Sequence, residues 1–269
     1  MGHVRLGAIP TTRKWKAVVA LLSGDGDGNS ADGTQDADQW AQIASETLAA
    51  AQAGLEKYLG DPGLSYTFYL LTQVALSARQ HDWQGGLAPL GIQLAVDSSL
   101  FDLTAELHHA VDEYLAKREG TSDASEMAQQ AAGEAITFLA GPRAVTLFGS
   151  GRDELQAAIR DLSTRDGFAR LGQEFFGRFM ARFLNFYLSR VTSAQLGGNV
   201  LRQLGDVSQF NQMLEVHCLQ SARIVRDFCG EWYSKTEFQQ GINPANTSGF
   251  IAVAIRKLRD ELQRQGSVQ

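Results

Sequence analysis

The chain has 269 residues, of which 44% are hydrophobic and 20% charged, enough apolar content for a large core and too little charge for a disordered chain. Its net charge of −6 argues against wholesale coating of nucleic acid. No apolar run reaches the roughly 18 residues that a membrane-crossing helix needs.

The opening stretch, MGHVRLGAIPTTRKWK, has no continuous apolar segment and no cleavage pattern, so no secretory signal is read. Its sixth residue is Leu6 rather than Ser or Thr, which argues against myristoylation. A short helix starts at Thr11 or Thr12 and carries Trp15, Val18, Val19 and Leu22. Residues 1–22 form an N-terminal arm, 23–37 a flexible Gly/Asp-rich linker and 38–269 a helical domain. In the linker, Asp25, Asp27, Asn29 and Asp36 fall on positions 1, 3, 5 and 12 of a calcium loop. Ser30 stands where the sharp turn needs Gly, Asp32 where an apolar residue belongs, and Asp36 where a longer Glu would chelate. A solvated linker fits these residues better than an ion site.

Helical periodicity then dominates, and alternating strands are absent. Asp36 or Asp38 opens a helix with Trp40, Ile43, Thr47, Leu48, Ala51, Leu55 and Leu59, which Gly60 stops. Asp61-Pro62 caps the next. Residues 82–96 hold a short helix and a turn, Ser98 or Ser99 caps a helix to about 118, and Ser122 begins one to about 140. Gly141-Pro142 should break the chain. Further helices are expected at 152–163, 166–192, 206–229 and 244–264. The predicted fold is all-α, a single globular domain of about eight to ten helices.

Several patterns bear on chemistry. In the helix from Leu100, Glu106 and His109 have the Glu-x-x-His spacing of di-metal bundles, but no second such pair exists. A solvated polar face opposite the stripe Leu100, Leu103, Leu107, Val111 and Tyr114 is the simpler reading. FGSGRDE, residues 148–154, could hold a phosphate at a helix start. No strand precedes it, and Asp153 and Glu154 already supply negative charge, so an ordinary cap at Ser150 is expected.

The helix 167–190 is the most distinctive. Phe168, Leu171, Phe175, Phe176, Phe179, Met180, Phe183, Leu184, Phe186 and Tyr187 cover an arc of roughly 220° on a helical projection, leaving a narrow stripe of Arg170, Glu174, Arg178, Ala181 and Asn185. It is expected to be central and packed on several sides. Arg182 projects into the apolar arc and needs a carboxylate or several carbonyls. His217 borders a stripe of Phe210, Leu214, Cys218, Ala222, Val225 and Cys229, and reads as a boundary histidine with no zinc pattern around it. The two cysteines fall eleven positions apart on one predicted helix, roughly 16 Å along its axis and too far for a disulfide.

Between that helix and the one that Asn243-Pro244 starts lies CGEWYSKTEFQQG, residues 229–241. Trp232, Tyr233, Lys235 and Phe238 there either bolt a connection onto the core or form a recognition surface, with aromatic anchors beside a cation. Ser234 and Lys235 are adjacent and diverge on a helix, a poor nucleophile and base pair.

Charge is unevenly spread. Residues 1–141 carry eight Lys and Arg against eighteen Asp and Glu, whereas residues 142–269 carry sixteen against twelve. Eighteen arginines against six lysines is the usage of a GC-rich bacterial genome. Together these features predict a non-enzymatic cytoplasmic scaffold or interaction subunit, with other protein chains as partners and no cofactor or metal. One alternative is a small-ligand-binding protein or enzyme, with Arg178, Arg182, His217, Trp232, Tyr233 and Lys235 converging on one pocket beside the central helix. The other is a nucleic-acid accessory subunit using the basic C-terminal half.

Overall fold

A computed structural model describes residues 13–23, 43, 46–47, 51, 54–118, 122–144, 152–194 and 204–265. Ten α-helices and no strand occur among the described residues: α1 (Arg13–Ser23), α2 (Pro62–Ser77), α3 (Trp83–Leu87), α4 (Leu100–Ala116), α5 (Asp123–Ala144), α6 (Arg152–Leu162), α7 (Arg165–Ala194), α8 (Leu204–Ser221), α9 (Arg223–Gln240) and α10 (Pro244–Gln265). The all-α expectation holds. The calcium-like positions 25–36 and the Gly-rich residues 148–151 lie outside the described residues.

Local chemistry sets the helix starts. Asp61 accepts the Leu64 amide at 2.8 Å, and its other oxygen accepts the Ser122 hydroxyl at 2.6 Å, joining the start of α2 to the start of α5. Ser99 and Asp102 form a reciprocal capping box on α4. At α10, Asn243 accepts the amides of Ala245 and Asn246 at 3.0 Å, and Pro244 occupies the first turn, where its missing N–H is no loss.

The centre is aromatic. α7 runs against α5, α6, α8 and α9, while α2 packs on α5, α4 and α10. Phe68 of α2 meets Phe168, Phe175 and Phe176 of α7 at 5.7, 5.2 and 5.4 Å between ring centroids. The same ring meets Phe250 of α10 at 5.3 Å and Trp232 of α9 at 6.2 Å. The predicted apolar arc of α7 is buried from Phe168 through Leu184, and Phe186 is half-buried. At the N-terminus, Val18 and Leu22 of α1 enter the same core, as do Ile43, Thr47, Ala51 and Leu55 at four-residue spacing.

Three helix boundaries differ from expectation. α5 continues through Gly141-Pro142 to Ala144; only two residues follow the proline, so the lost ladder bond is confined to a last turn that frays anyway. The predicted helix 206–229 is two helices, parted at Ala222, so Cys218 lies on α8 and Cys229 on α9. α9 then runs unbroken through Gly230, so the aromatic stretch is helix rather than connection. Gly230 does not stop the helix because its bareness serves packing: a Cβ there would lie 2.7 Å from the Arg165 carbonyl oxygen and 2.9 Å from the Ala169 Cβ. On the facing helix a Cβ at Gly172 would lie 2.3 Å from the Cys229 sulfur. α7 and α9 therefore cross at backbone distance, and Gly241, at φ 74°, ends α9 instead.

Two outcomes are expected. Phe68→Ala empties a ring site shared by four helices and should lower unfolding free energy by about 3–5 kcal/mol in denaturant titration; a loss below about 1 kcal/mol would contradict the central role given to that ring. Both cysteines are buried free thiols, and burial pushes both thiols far above the usual cysteine range. A chromogenic disulfide reagent should leave both unreacted in the native chain and titrate two after unfolding.

Candidate functional site

α9 divides its aromatic residues between core and solvent. Tyr233 is fully buried, with its ring stacked on Phe168 at 4.0 Å and 9°. Burial is the main cause raising its phenol well above the ordinary tyrosine range, and the Arg79 guanidinium opposes the shift. Arg79 donates to both Glu237 carboxylate oxygens at 2.8 and 2.9 Å and to the Ser163 hydroxyl at 3.0 Å, so it joins the α2–α3 and α6–α7 connections to α9. Trp232 is half-buried and stacks on Phe250 at 4.3 Å. Lys235 is exposed and 3.8 Å from Glu231, a helical i,i+4 pair of small energetic weight. Phe238 points outward and is 91% exposed.

The two arginines of α7 stand elsewhere, in a polar cleft of about 430 Å³ between α5, α7 and α8. Glu134 contributes from α5, Arg178, Arg182 and Asn185 from α7, and Asn211 and Glu215 from α8. Arg178 donates to Glu174 and to Glu215, each at 3.2 Å, and lies 3.7 Å from Glu134. Its guanidinium also lies 5.1 Å from the centre of the Phe138 ring, which is itself 58% exposed. Arg182 donates to Gln130 at 2.6 Å and to Glu134, supplying the carboxylate that its place in the apolar arc demanded. Its buried Nε has no acceptor.

His217 of α8 is half-buried and does not line this cleft, and desolvation lowers its imidazole pKa, favouring the neutral ring. Trp232, Tyr233 and Lys235 do not line it either. The convergence of six residues on one pocket is therefore not what the fold forms: it unites Arg178 with Arg182 and leaves the other four apart. Glu134, Asn211 and Glu215 were missed because pairs between α5, α7 and α8 have no signal in a single sequence. Only the i,i+4 step from Glu174 to Arg178 was readable.

The other sequence candidates have local partners. Glu106 accepts the Gln93 amide at 2.9 Å, and His109 lies 3.5 Å from Glu113 on the exposed side of α4. No group of three His, Cys, Asp or Glu placed to hold a metal occurs among the described residues. On basic α10, Arg259 pairs with Glu56 at 2.6 Å and with Asp260 at 2.8 Å, Lys257 lies over Phe228 at 5.0 Å, and Arg256 is exposed. No described helix is long and apolar enough to cross a membrane.

No family model, curated protein or solved structure matches this chain.

The Glu174 carboxyl is raised above its ordinary range, chiefly by burial, with Arg178 opposing and Glu215 adding to the shift. The folded chain therefore holds that proton more tightly than the unfolded chain, and the stabilisation this gives at low pH is lost as pH rises through the raised value. Glu174→Gln removes the dependence. The melting temperature of the variant minus that of the parent should become more positive between about pH 4 and pH 7. A difference that is flat or falls over that range would contradict the burial argument.

Proposed function

We propose that this chain is a non-enzymatic helical scaffold or interaction subunit inside the cell, and that the outer face of α9 is its contact surface. The observation that supports this is Phe238. Its helix buries Tyr233 and packs the half-buried Trp232 against the core, yet holds a phenyl ring 91% exposed, with no aromatic partner among the described residues. Aromatic side chains, phenylalanine among them, are enriched at the cores of protein–protein interfaces. Ser234, Lys235 and Gln239 around it are exposed and suit a polar rim. Two free thiols fit a reducing compartment.

Native mass spectrometry of the chain purified gently from its own host tests the reading. The parent should appear in a defined complex with other chains or copies, and Phe238→Ala should lose those partners while keeping its melting temperature. A parent found only as a bare monomer would overturn the subunit reading. A complex unchanged by Phe238→Ala would overturn α9 as its surface.

The cleft beside α7 supports a second reading, a small-ligand-binding protein. Arg178 and Arg182, both nominated by sequence, open together onto a space whose volume falls within the range of ligand sites.

A further inference from the structure

We infer that the outer face of α9 is covered by the same face of a second copy of this chain, the two helices running antiparallel about a two-fold axis at Glu231. This rests on the reading of α9 as the contact surface and names its occupant.

The outward line of α9 is fixed by its inward one. Cys229 and Tyr233 are fully buried. At about 100° per residue, the side opposite them is centred on Glu231 and carries Ile224, Asp227, Glu231, Lys235 and Phe238, all exposed, within an arc of about 80°. The steps along this line are three, four, four and three residues, the same read in either direction. Ile224, Glu231 and Phe238 are also seven residues apart, the repeat that keeps a seam turned toward a partner helix.

The side chains complement one another under that symmetry. When a second α9 is turned end for end about Glu231, each residue meets the one equally far on the other side. Phe238 meets Ile224 of the second copy, and Lys235 meets Asp227 of the second copy. A two-fold interface makes each contact twice. The apolar pairs close both ends of the seam, the phenyl ring 91% exposed and Ile224 43% exposed in the single chain. Asp227 has no ion-pair partner among the described residues, and Lys235 reaches only its own Glu231, at 3.8 Å.

Charge also selects the direction. A parallel pair in register sets Asp227 against Asp227 and Lys235 against Lys235, and like charges across an interface are costly. In the antiparallel pair only Glu231 meets its own kind. Each chain brings two cations to that point, Arg165 of α7 at 3.4 Å and Lys235 at 3.8 Å, so the two carboxylates at the axis are compensated. A seam of one helix on another is smaller than the roughly 20–30 residues a side of a standard interface, so the dimer is weak and concentration-dependent.

The test is sedimentation equilibrium of the purified chain from roughly 1 to 200 μM. The parent should show a monomer–dimer equilibrium. Phe238→Ala removes two rings from the pair and should raise the dissociation constant about a hundredfold, tenfold for each. Asp227→Lys and Lys235→Asp each set like charges at both ends and should each raise it at least about tenfold. The two together exchange the charges and should restore the parent value to within about threefold. All three sites are exposed, and unchanged melting curves confirm that the variants fold. A parent that stays monomeric at every concentration would overturn the second copy as occupant. A dimer indifferent to all three substitutions would overturn this seam. Single variants that weaken it without restoration in the double would overturn the antiparallel pairing. The role of α9 as a contact surface is decided separately, by whether Phe238→Ala loses other chains from the native complex.

Discussion

The arrangement of the central helices depends on the ring of Phe68. Four helices meet there: α2, which carries it, α7 through three phenylalanines, α9 through Trp232 and α10 through Phe250. Helices in water gain little from propensity alone and are held by burial of their apolar faces. A ring that contacts several helices fixes their relative positions as well as their burial. It sets the rotation of α7 about its axis, and hence which side of α7 is left to carry Arg178 and Arg182.

The second determinant is the absence of side chains where helices cross. Gly172 and Gly230 let α7 and α9 approach until a sulfur and a carbonyl oxygen occupy the space that Cβ atoms would take. Gly177 does the same for α7 against Leu219 of α8. With the crossings fixed at backbone distance, α9 has little freedom to roll. Tyr233 lies flat on Phe168, and the residues on the opposite side, Phe238 among them, must face out. The exposure of Phe238 is thus a consequence of glycine placement on two helices rather than of anything near Phe238.

How much of this was legible in the sequence follows from the range of each interaction. Caps are local, so Asp61, Ser99 and Asn243 announced their helices correctly. The apolar arc of α7 is a periodicity, and it predicted the central helix and its packed faces. Glycine defeated the reading at Gly230, because a helix stop and a close crossing use the same residue for opposite ends. Only the neighbouring backbone, Arg165 and Ala169, distinguishes them. For the same reason the aromatic stretch around Trp232 looked like a connection. The cleft was half visible: Arg182 demanded a carboxylate, but that Glu134 would supply it, 48 positions away, is tertiary information.

The charge cluster around Arg178 also bears on whether the cleft exists for stability alone. A guanidinium that is 14% exposed must be compensated, since an unpaired buried charge is strongly destabilising. Glu174, on the same helix and equally buried, already does that through Nε and Nη2. Glu134 and Glu215 come from two other helices, are half exposed, and bring the local charge past neutrality. Exposed ion pairs contribute little to folding, and a buried pair is often no more stabilising than apolar side chains of its volume. Stability therefore accounts for Glu174 and not for a third carboxylate. Glu134 answers Arg182, so Glu215 is the carboxylate in excess of what the two guanidiniums require.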